Sequence, residues 1–195
     1  MLLCSITASA HNFVKNGIYY IFNNNDVSDP TVAVSCMGSS SDEYKNEYTG
    51  HVSIPSTVTH WGKTYRVTEI YDGAFRDCDK LTSIYIPSSV KKISSWLPFS
   101  GCSNLTAVHI SSIEAWCKID FGNNPLSYAH NLYLNGKLVT KLVIPEGVTS
   151  IGEWAFHGCS SLTSVIAHKS WKKMFKERAY YFDGCNKLEK ITYVK

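Results

Sequence analysis

The chain has 195 residues, of which 44% are hydrophobic and 13% aromatic, and its formal net charge is +3. This length and composition fit one core or one short solenoid and exclude a disordered chain. The small net charge gives no indication of nucleic-acid binding, and no apolar run reaches the ~20 residues needed to cross a bilayer.

The charge is unevenly distributed along the chain. Residues 1–162 contain 11 Lys and Arg against 13 Asp and Glu, whereas residues 163–195 contain 8 against 3. The two parts therefore carry net charges of −2 and +5. We favour the interpretation that the basic part is a solvated end that keeps the last repeat soluble. The alternative is a docking patch for an acidic partner.

The first ten residues, MLLCSITASA, have features of a secretory leader. Ala8-Ser9-Ala10 fits a small-residue cleavage signal after the apolar run Met1 to Ile6, although a basic start is missing. We interpret residues 1–10 as the residual part of a signal peptide. A lipidated Cys4 fits less well, because Leu3 replaces the small residue expected before it. A secreted or cell-surface protein is therefore predicted.

Residues 11–50 precede the repeats and are predicted to form an N-terminal β cap. Residues 17–22 and 31–35 are β-rich runs, separated by an Asn-rich stretch and Pro30. Such runs indicate a β-hairpin. A hairpin here would cover the open apolar end of a stack of repeats, as the terminal units of repeat proteins must.

From residue 51 onward, short strands are followed by a proline. Each strand points two apolar side chains inward with one outward side chain between them. Proline cannot donate to a strand ladder, so it ends the strand and turns the chain out of the sheet. The segments of this kind are Val52 to Pro55, Ile84 to Pro87 and Leu142 to Pro145, with Val108 to Ile110 as a copy that lacks the proline.

A second motif, Phe-x-x-Cys-x-x-Leu-x-x-Ile/Val, occurs four times, starting at Phe75, Phe99, Phe156 and Phe182. Successive copies begin 24, 57 and 26 residues apart. A period in the mid-twenties indicates a solenoid, in which each unit buries its apolar edge on the next. The predicted fold over residues 51–195 is a repeat solenoid with short parallel β-strands on one face and irregular, 3-10 or short helical returns.

The spacing of 57 residues indicates an insertion at about 111–141. Residues 112–117 are predicted to form a short helix, and Asn135-Gly136 is a strong hairpin-turn signal. Leu132 lies 24 residues after Val108. The insertion is therefore predicted to contain a degenerate coil and an added hairpin. Residues 61–65 indicate a further hairpin tip, and residues 171–178 a short basic helix.

Four cysteines, Cys78, Cys102, Cys159 and Cys185, occupy one position of the repeat. We predict a column of buried thiols first, because free cysteine is among the most buried residue types. An occasional disulfide between neighbouring coils comes second. A metal site comes third, since the chain has no Cys-x-x-Cys and its histidines lack ligand spacing.

These motifs resemble the BspA-like leucine-rich repeats of bacterial surface proteins. The segment LVIPEGVTSIGEWAFHGCSSLTSV, residues 142–165, matches that repeat almost throughout, and the resemblance extends over about residues 51–193. Departures occur at 94–98 and at 167–169, where Ala-His-Lys replaces the Ile-Pro step. The resemblance implies the solenoid fold, an exported protein, and a family associated with adhesion to host matrix proteins and other cells.

No catalytic arrangement stands out in the sequence. Asp77 and Asp79 flank a cysteine of the column, and neighbours in sequence alone do not make an acid–base pair. Cys117 and His130 could be imagined as nucleophile and base, but nothing orients the histidine toward the thiol. We therefore predict that the protein is not an enzyme and uses no cofactor.

Binding remains as the predicted class of function, with a host or bacterial surface protein or glycan as partner, and neither nucleic acid nor a membrane span. The exposed strand face is predicted to contact the ligand, since aromatic and hydroxyl groups suit interfaces. The alternative is a structural spacer or a fragment of a longer array, with end-to-end self-association. The predicted contact residues are Ser53, Ser83, Tyr85, His109, Tyr133, Val143, Ile166 and Thr192.

Overall fold

A computed structural model describes residues 11–23, 28–38, 46–177 and 179–195. The signal-peptide residues predicted at 1–10 lie outside this part of the chain. Fifteen strands and three α-helices are present in the described part. The strands are β1 (Phe13–Lys15), β2 (Ile18–Phe22), β3 (Thr31–Ser35), β4 (Gly50–Ser53), β5 (Thr57–His60), β6 (Lys63–Ile70), β7 (Leu81–Tyr85), β8 (Lys92–Ile93), β9 (Ala107–Ile110), β10 (Asp120–Phe121), β11 (Leu132–Leu134), β12 (Lys137–Leu138), β13 (Lys141–Val143), β14 (Ser164–His168) and β15 (Lys190–Val194). The helices are α1 (Ile113–Cys117), α2 (Leu126–Ala129) and α3 (Trp171–Glu177), with a 3-10 turn at Ala179–Phe182.

The strands form three sheets. The front sheet has the order β12-β11-β9-β7-β4, and the C-terminal sheet has the order β13-β14-β15. The return sheet has the order β1-β2-β3-β6-β8-β10, with β5 paired to β6. Front and return strands alternate along the chain and enclose one apolar core. The coils that begin with β4, β7 and β9 therefore contribute strands to both walls, as in a solenoid. None of the helices in the described part has the length and apolar character needed to cross a membrane.

The front sheet continues through the predicted insertion. Val52 pairs with Ile84, Ile84 with Val108 and Val108 with Leu132, all in parallel register, and all four are buried. The 24-residue spacing to Leu132 thus predicts its position correctly. After Leu134 the chain reverses through Asn135 and Gly136, and β12 returns antiparallel to β11. The Asn-Gly hairpin is confirmed.

The return side is more ordered than the sequence indicates. Ile70, Ile93 and Phe121 pair in parallel register, and they extend a second sheet along the molecule. The returns at Phe75, Phe99 and Phe156 are hydrogen-bonded turns, and a 3-10 turn is found only before Phe182 among the described returns. Strands of two residues are too short to show an alternating pattern, so the sequence does not reveal this sheet.

The turns after the repeat Phe bring neighbouring coils close together. Gly101, Gly158 and Gly184 each lie two residues after a repeat Phe and have φ of +80°, +79° and +77°. A Cβ at Gly158 would lie 2.8 Å from the carbonyl oxygen of Leu126 and 3.0 Å from the Cα of Ser127. Glycine is therefore needed there for both the backbone conformation and the close approach.

The repeat cysteines form a buried column. The thiol of Cys102 donates to the carbonyl of Phe75 over 3.0 Å, and that of Cys185 donates to the carbonyl of Phe156 over 3.2 Å. The six described cysteines are unpaired and buried. Burial raises the pKa of the Cys102 and Cys185 thiols to about 12. The column therefore links successive coils by hydrogen bonds, and its thiols are poor nucleophiles.

We expect these six cysteines to resist alkylation in the folded protein. At pH 8, iodoacetamide should modify them at least about a hundredfold more slowly than in a urea-unfolded control, because reaction needs both exposure and a thiolate. Mass spectrometry of tryptic peptides measures each position separately. Rapid modification of Cys102 or Cys159 in the folded sample would contradict a packed column.

Residues preceding the repeats join the return sheet. β2 pairs antiparallel with β3, which confirms the predicted hairpin, and β3 pairs parallel with β6. Tyr48 connects β3 to the first repeat. Its hydroxyl donates to the carbonyl of Ser35 over 2.7 Å, and its ring lies 4.7 Å from that of Phe75. We propose that this arrangement caps the solenoid, as the sequence predicts for residues 11–50.

A partly buried carboxyl lies in this N-terminal region. Glu47 accepts a hydrogen bond from the backbone N–H of Met37 over 2.6 Å, and its second oxygen is buried. Burial, opposed by backbone hydrogen bonds, raises the pKa of Glu47 from 4.5 to about 7. Between these values the folded state holds more protons than the unfolded state, so stability falls as pH rises.

Replacing Glu47 by Gln should remove this dependence. The wild-type protein should lose on the order of 1 kcal/mol of stability between pH 5 and pH 8 through Glu47, a value reduced by the partial exposure of the carboxyl. Urea unfolding of wild type and variant at both pH values measures the difference. Glu146→Gln, at an exposed position, is the control. An identical pH profile for Glu47→Gln and wild type would show that the carboxyl is not strained by burial.

Candidate ligand-binding surface

Four of the predicted contact residues lie in one row across the front sheet. Ser53 pairs with Tyr85, Tyr85 with His109 and His109 with Tyr133, in neighbouring parallel strands. Side chains of paired residues point to the same face of a sheet, and their neighbours in sequence point to the core. The row therefore crosses four coils on the outward face of the front wall.

Ring contacts hold part of this face in place. The His109 ring stacks on that of Tyr133 with centroids 4.7 Å apart, and the His51 ring meets His109 edge-on at 5.8 Å. Nδ1 of His51 is hydrogen-bonded to the hydroxyl of Ser83 over 2.8 Å. We call His51, Ser83, Tyr85, His109 and Tyr133 the front-face cluster. These contacts order the side chains of His51, Ser83, His109 and Tyr133 before any ligand binds.

His51 is a member of the cluster that the sequence prediction missed. It lies two residues before Ser53, so the alternation of β4 puts both on the same face. That spacing was the signal that could have identified it. The first residues of β4 are not apolar, so the apolar alternation used to identify outward residues did not reach His51.

The surroundings of His109 perturb this histidine of the cluster. Partial burial, and then the neighbouring His51, lower the pKa of His109. Protonation of His109 would place a positive charge in a partly desolvated site next to the imidazole of His51, which is unfavourable. The lowered pKa favours the neutral imidazole of His109.

The other predicted residues, Val143, Ile166 and Thr192, form a separate row. They pair with one another in the C-terminal sheet, and β12 lies at the edge of the front sheet. The strand face is therefore two surfaces rather than the single one that the sequence suggests. The antiparallel return of β12 explains the break, because β13 then pairs only with β14 among the described strands.

Two open clefts flank α3, in the basic part of the chain. One has a volume of about 440 Å³ and is lined by hydroxyl groups, Met174, Lys173 and Glu177. The other, of about 340 Å³, includes His168 and Lys195. Lys173 and Glu177 form an exposed ion pair at 3.9 Å. The mixed charge of the first cleft gives no selectivity for an acidic ligand.

The structure does not assemble the catalytic pair imagined from the sequence. Burial raises the pKa of the Cys117 thiol to about 12, and the ring of His130 is hydrogen-bonded to the carbonyl of Gly158 instead. Ser127 and His157 do meet, at 2.9 Å, but no carboxylate among the described residues orients His157. The described part also has no group of three His, Cys, Asp or Glu side chains able to hold a metal ion.

Solved structures similar to this chain are bacterial leucine-rich repeat proteins. A leucine-rich repeat protein from Bacteroides ovatus is 24% identical with a TM-score of 0.43, over 94% of this chain and 53% of its own. A leucine rich cell surface protein from Faecalibacterium prausnitzii is 19% identical with a TM-score of 0.41, over 93% and 54%. The leucine rich repeat protein of T. pallidum is 18% identical with a TM-score of 0.50, over 94% and 82%. The chain thus spans about half the length of the first two.

Sequence comparison gives the family directly. No curated protein matches the chain. The family model for the BspA type leucine rich repeat region matches residues 63–130 and 127–195, which together cover more than half of the chain and include the degenerate coil. The chain therefore belongs to the family of BspA-type leucine-rich repeat proteins.

Proposed function

We propose that this protein is a non-catalytic binding module, secreted or held at the bacterial cell surface, and that its front-face cluster docks a partner protein. The observation that carries this proposal is the outward row Ser53, Tyr85, His109 and Tyr133, which crosses four coils of the front sheet. The family and its repeat architecture support a surface for binding rather than a pocket for chemistry.

The physical character of the cluster suits a protein contact. Tyrosine and histidine offer apolar rings with polar tips, and aromatic residues dominate the energetics of protein interfaces. The contacts between His51, His109 and Tyr133 order these side chains in advance, so less rotamer freedom is lost on binding. The open face of a sheet offers little enclosure to a small molecule, which normally needs a concave site.

Two sets of substitutions test the proposal. A panel of immobilised matrix proteins, mucins and bacterial surface glycans first identifies a ligand that binds saturably. The front-face triple variant Tyr85→Ser, His109→Ser and Tyr133→Ser should then lower affinity by at least about tenfold, because it removes the aromatic anchors. The matched control is Val143→Ser, Ile166→Ser and Thr192→Ala on the C-terminal sheet, which should leave affinity within about twofold.

The outcomes separate the alternatives. Loss of affinity in the control alone would move the binding surface to the C-terminal sheet and overturn the proposal. A folded sample that binds nothing in the panel would favour the structural spacer. β15 has β14 as its only partner among the described strands, so sedimentation at high concentration tests whether another copy stacks on that edge.

A further inference from the structure

The return turns contain bulky residues where glycine would be expected. Gly73, Leu97 and Trp154 each lie two residues before a repeat Phe, and their φ values are +63°, +49° and +65°. In the first coil the residue at this left-handed position is glycine, which adopts the conformation without steric cost. Leu97 and Trp154 adopt it at an energetic cost, because a Cβ crowds the backbone there.

These turns also expose apolar side chains to solvent. Trp96 is 75% exposed, Leu97 49% and Trp154 40%. Exposure of large apolar groups and a strained backbone are both unfavourable for the isolated fold. Neither is required by the turn, since the coil at Gly73 makes it without them. Trp61 on the β5–β6 turn combines the same two features, with φ of +48°, but the return turns carry their exposed side chains on coils that stack on one another.

The turns that carry these exposed residues stack on the same side of the solenoid. The N–H of Gly73 donates to the carbonyl of Trp96 over 3.2 Å, and the next coil packs at Gly122, where the backbone of Ser95 leaves no room for a Cβ. Beyond it, Nδ2 of Asn124 donates to the carbonyl of Trp154 over 2.6 Å. Trp96 and Trp154 are therefore two coils apart, roughly 10 Å at the usual strand spacing.

An aromatic contact joins Trp154 to the following coil. The ring of Tyr180 lies 5.1 Å from that of Trp154, and the hydroxyl of Tyr180 donates to Glu153 over 3.3 Å. We call Trp96, Leu97, Trp154 and Tyr180 the return ridge. It lies on the return side of the coil, and it shares no residue with the front-face cluster.

The charged residues near the return ridge indicate which class of ligand it can bind. The turns 71–74, 94–98, 122–125 and 152–155 contain no Lys or Arg, and their charged residues are Asp72 and Glu153. Lys176 and Arg178 precede Tyr180 in the sequence, but the turns of Trp96 and Trp154 offer a polyanion, such as a nucleic acid or a sulfated glycan, no cation to pair with. Carboxylate, amide and hydroxyl groups can instead pair with the hydroxyl groups of a sugar.

We propose that the return ridge binds a neutral polysaccharide, with Trp96 and Trp154 as stacking platforms. A pyranose ring has a face of C–H groups that packs on the face of an indole, where the ring's electrons are concentrated. The separation of two coils corresponds to about two sugar units along an extended chain. The two platforms thus stack on alternate sugars, while the exposed Glu153 beside Trp154 meets hydroxyl groups.

The test uses Trp96→Ala, Trp154→Gly and their double variant, with Trp61→Ala as control. Trp61 is 92% exposed on the β5–β6 turn, so the control also deletes an exposed indole. Calorimetric titration uses hexasaccharides of β-glucan, mannan and xylan, with heparin as the polyanion. We expect at least one neutral hexasaccharide to bind, each single variant to lose about tenfold in affinity, and Trp61→Ala to stay within about twofold.

The strain in the turn gives a second readout. Trp154→Gly should unfold within a few degrees of the wild type, because relief of backbone strain offsets the lost ring contacts and the added freedom of the unfolded chain. Loss of binding with an unchanged melting temperature supports the proposal. It is overturned if no neutral hexasaccharide binds the folded protein, if heparin alone binds, if the double variant binds as wild type, or if the substitutions instead dissociate a dimer.

Discussion

Replacing Gly158 by alanine should lower the free energy of unfolding by about 3 kcal/mol, through left-handed strain and overpacking. Gly158 has φ of +79°, and an added Cβ would lie 2.8 Å from the carbonyl oxygen of Leu126. Its own N–H donates to the carbonyl of Asp183 in the following coil over 2.7 Å. The glycine is therefore held between two coils and cannot move away from the new methyl group.

Gly136→Ala separates these two contributions. Gly136 also has φ of +79°, but a Cβ there would meet nothing within 4 Å. The Gly136→Ala variant should therefore lose only the conformational contribution to the free energy of unfolding, about 1 kcal/mol. Urea unfolding of both variants at one pH gives the comparison. Equal losses in the two variants would mean that the coils do not approach each other at Gly158.

Trp116→Ala should lower the free energy of unfolding by about 4 kcal/mol, in the range for deletion of a buried aromatic side chain. Trp116 is 1% exposed, its ring contacts that of Phe121 at 4.8 Å, and its indole N–H donates to the carbonyl of Ala155 over 2.7 Å. The side chain thus joins α1 in the insertion to the next full repeat. Its loss leaves a large cavity and one hydrogen bond fewer.

Trp61→Ala is the matched control, since Trp61 is 92% exposed and its removal should change stability by less than about 0.5 kcal/mol. Trp116→Phe should lie between the two, because it keeps much of the packing and loses the indole donor. Thermal and urea unfolding report all three. If Trp116→Ala were as mild as Trp61→Ala, residues 111–141 would not be packed into the solenoid.

The regular part of the fold follows from the sequence for a simple reason. Stacking the same side chain in every coil requires the same residue type at the same offset. The recurrence of Phe75, Cys78 and Leu81 in later copies of the motif therefore predicts three columns of stacked side chains. The hairpin at Asn135-Gly136 was equally visible, because that turn requires positive φ. The pairing of β11 with β9 followed from counting residues back to Val108.

The return side was hidden for the opposite reason. Its strands β8 and β10 have two residues each, which is too short for an alternating pattern. The left-handed turns were visible only where glycine marks them. Leu97 and Trp154 adopt the same backbone conformation as Gly73, although neither residue type favours it. The residue pattern around Trp154 gives no sign of this strain, which became visible only in the structure.

The candidate site was predicted in part. Alternation placed Tyr85, His109 and Tyr133 on the outward face, and the structure groups them in one row. The same reasoning joined Val143 to that row, because it could not foresee that β12 would end the front sheet. Ring contacts such as that of His51 with His109 depend on distances between strands, which no pattern along one strand contains.

The central claim is that residues 111–141 form a coil of the solenoid and thereby place Tyr133 beside His109. Native-state hydrogen exchange tests it most directly. The N–H of Val108 donates to Asn131 and that of Asn135 to Ile110, each over 2.9 Å. We predict that both amides exchange as slowly as those of β7, because they open only when the sheet opens. Rapid exchange at both, with β7 still protected, would show that 111–141 is a surface loop and contradict the claim.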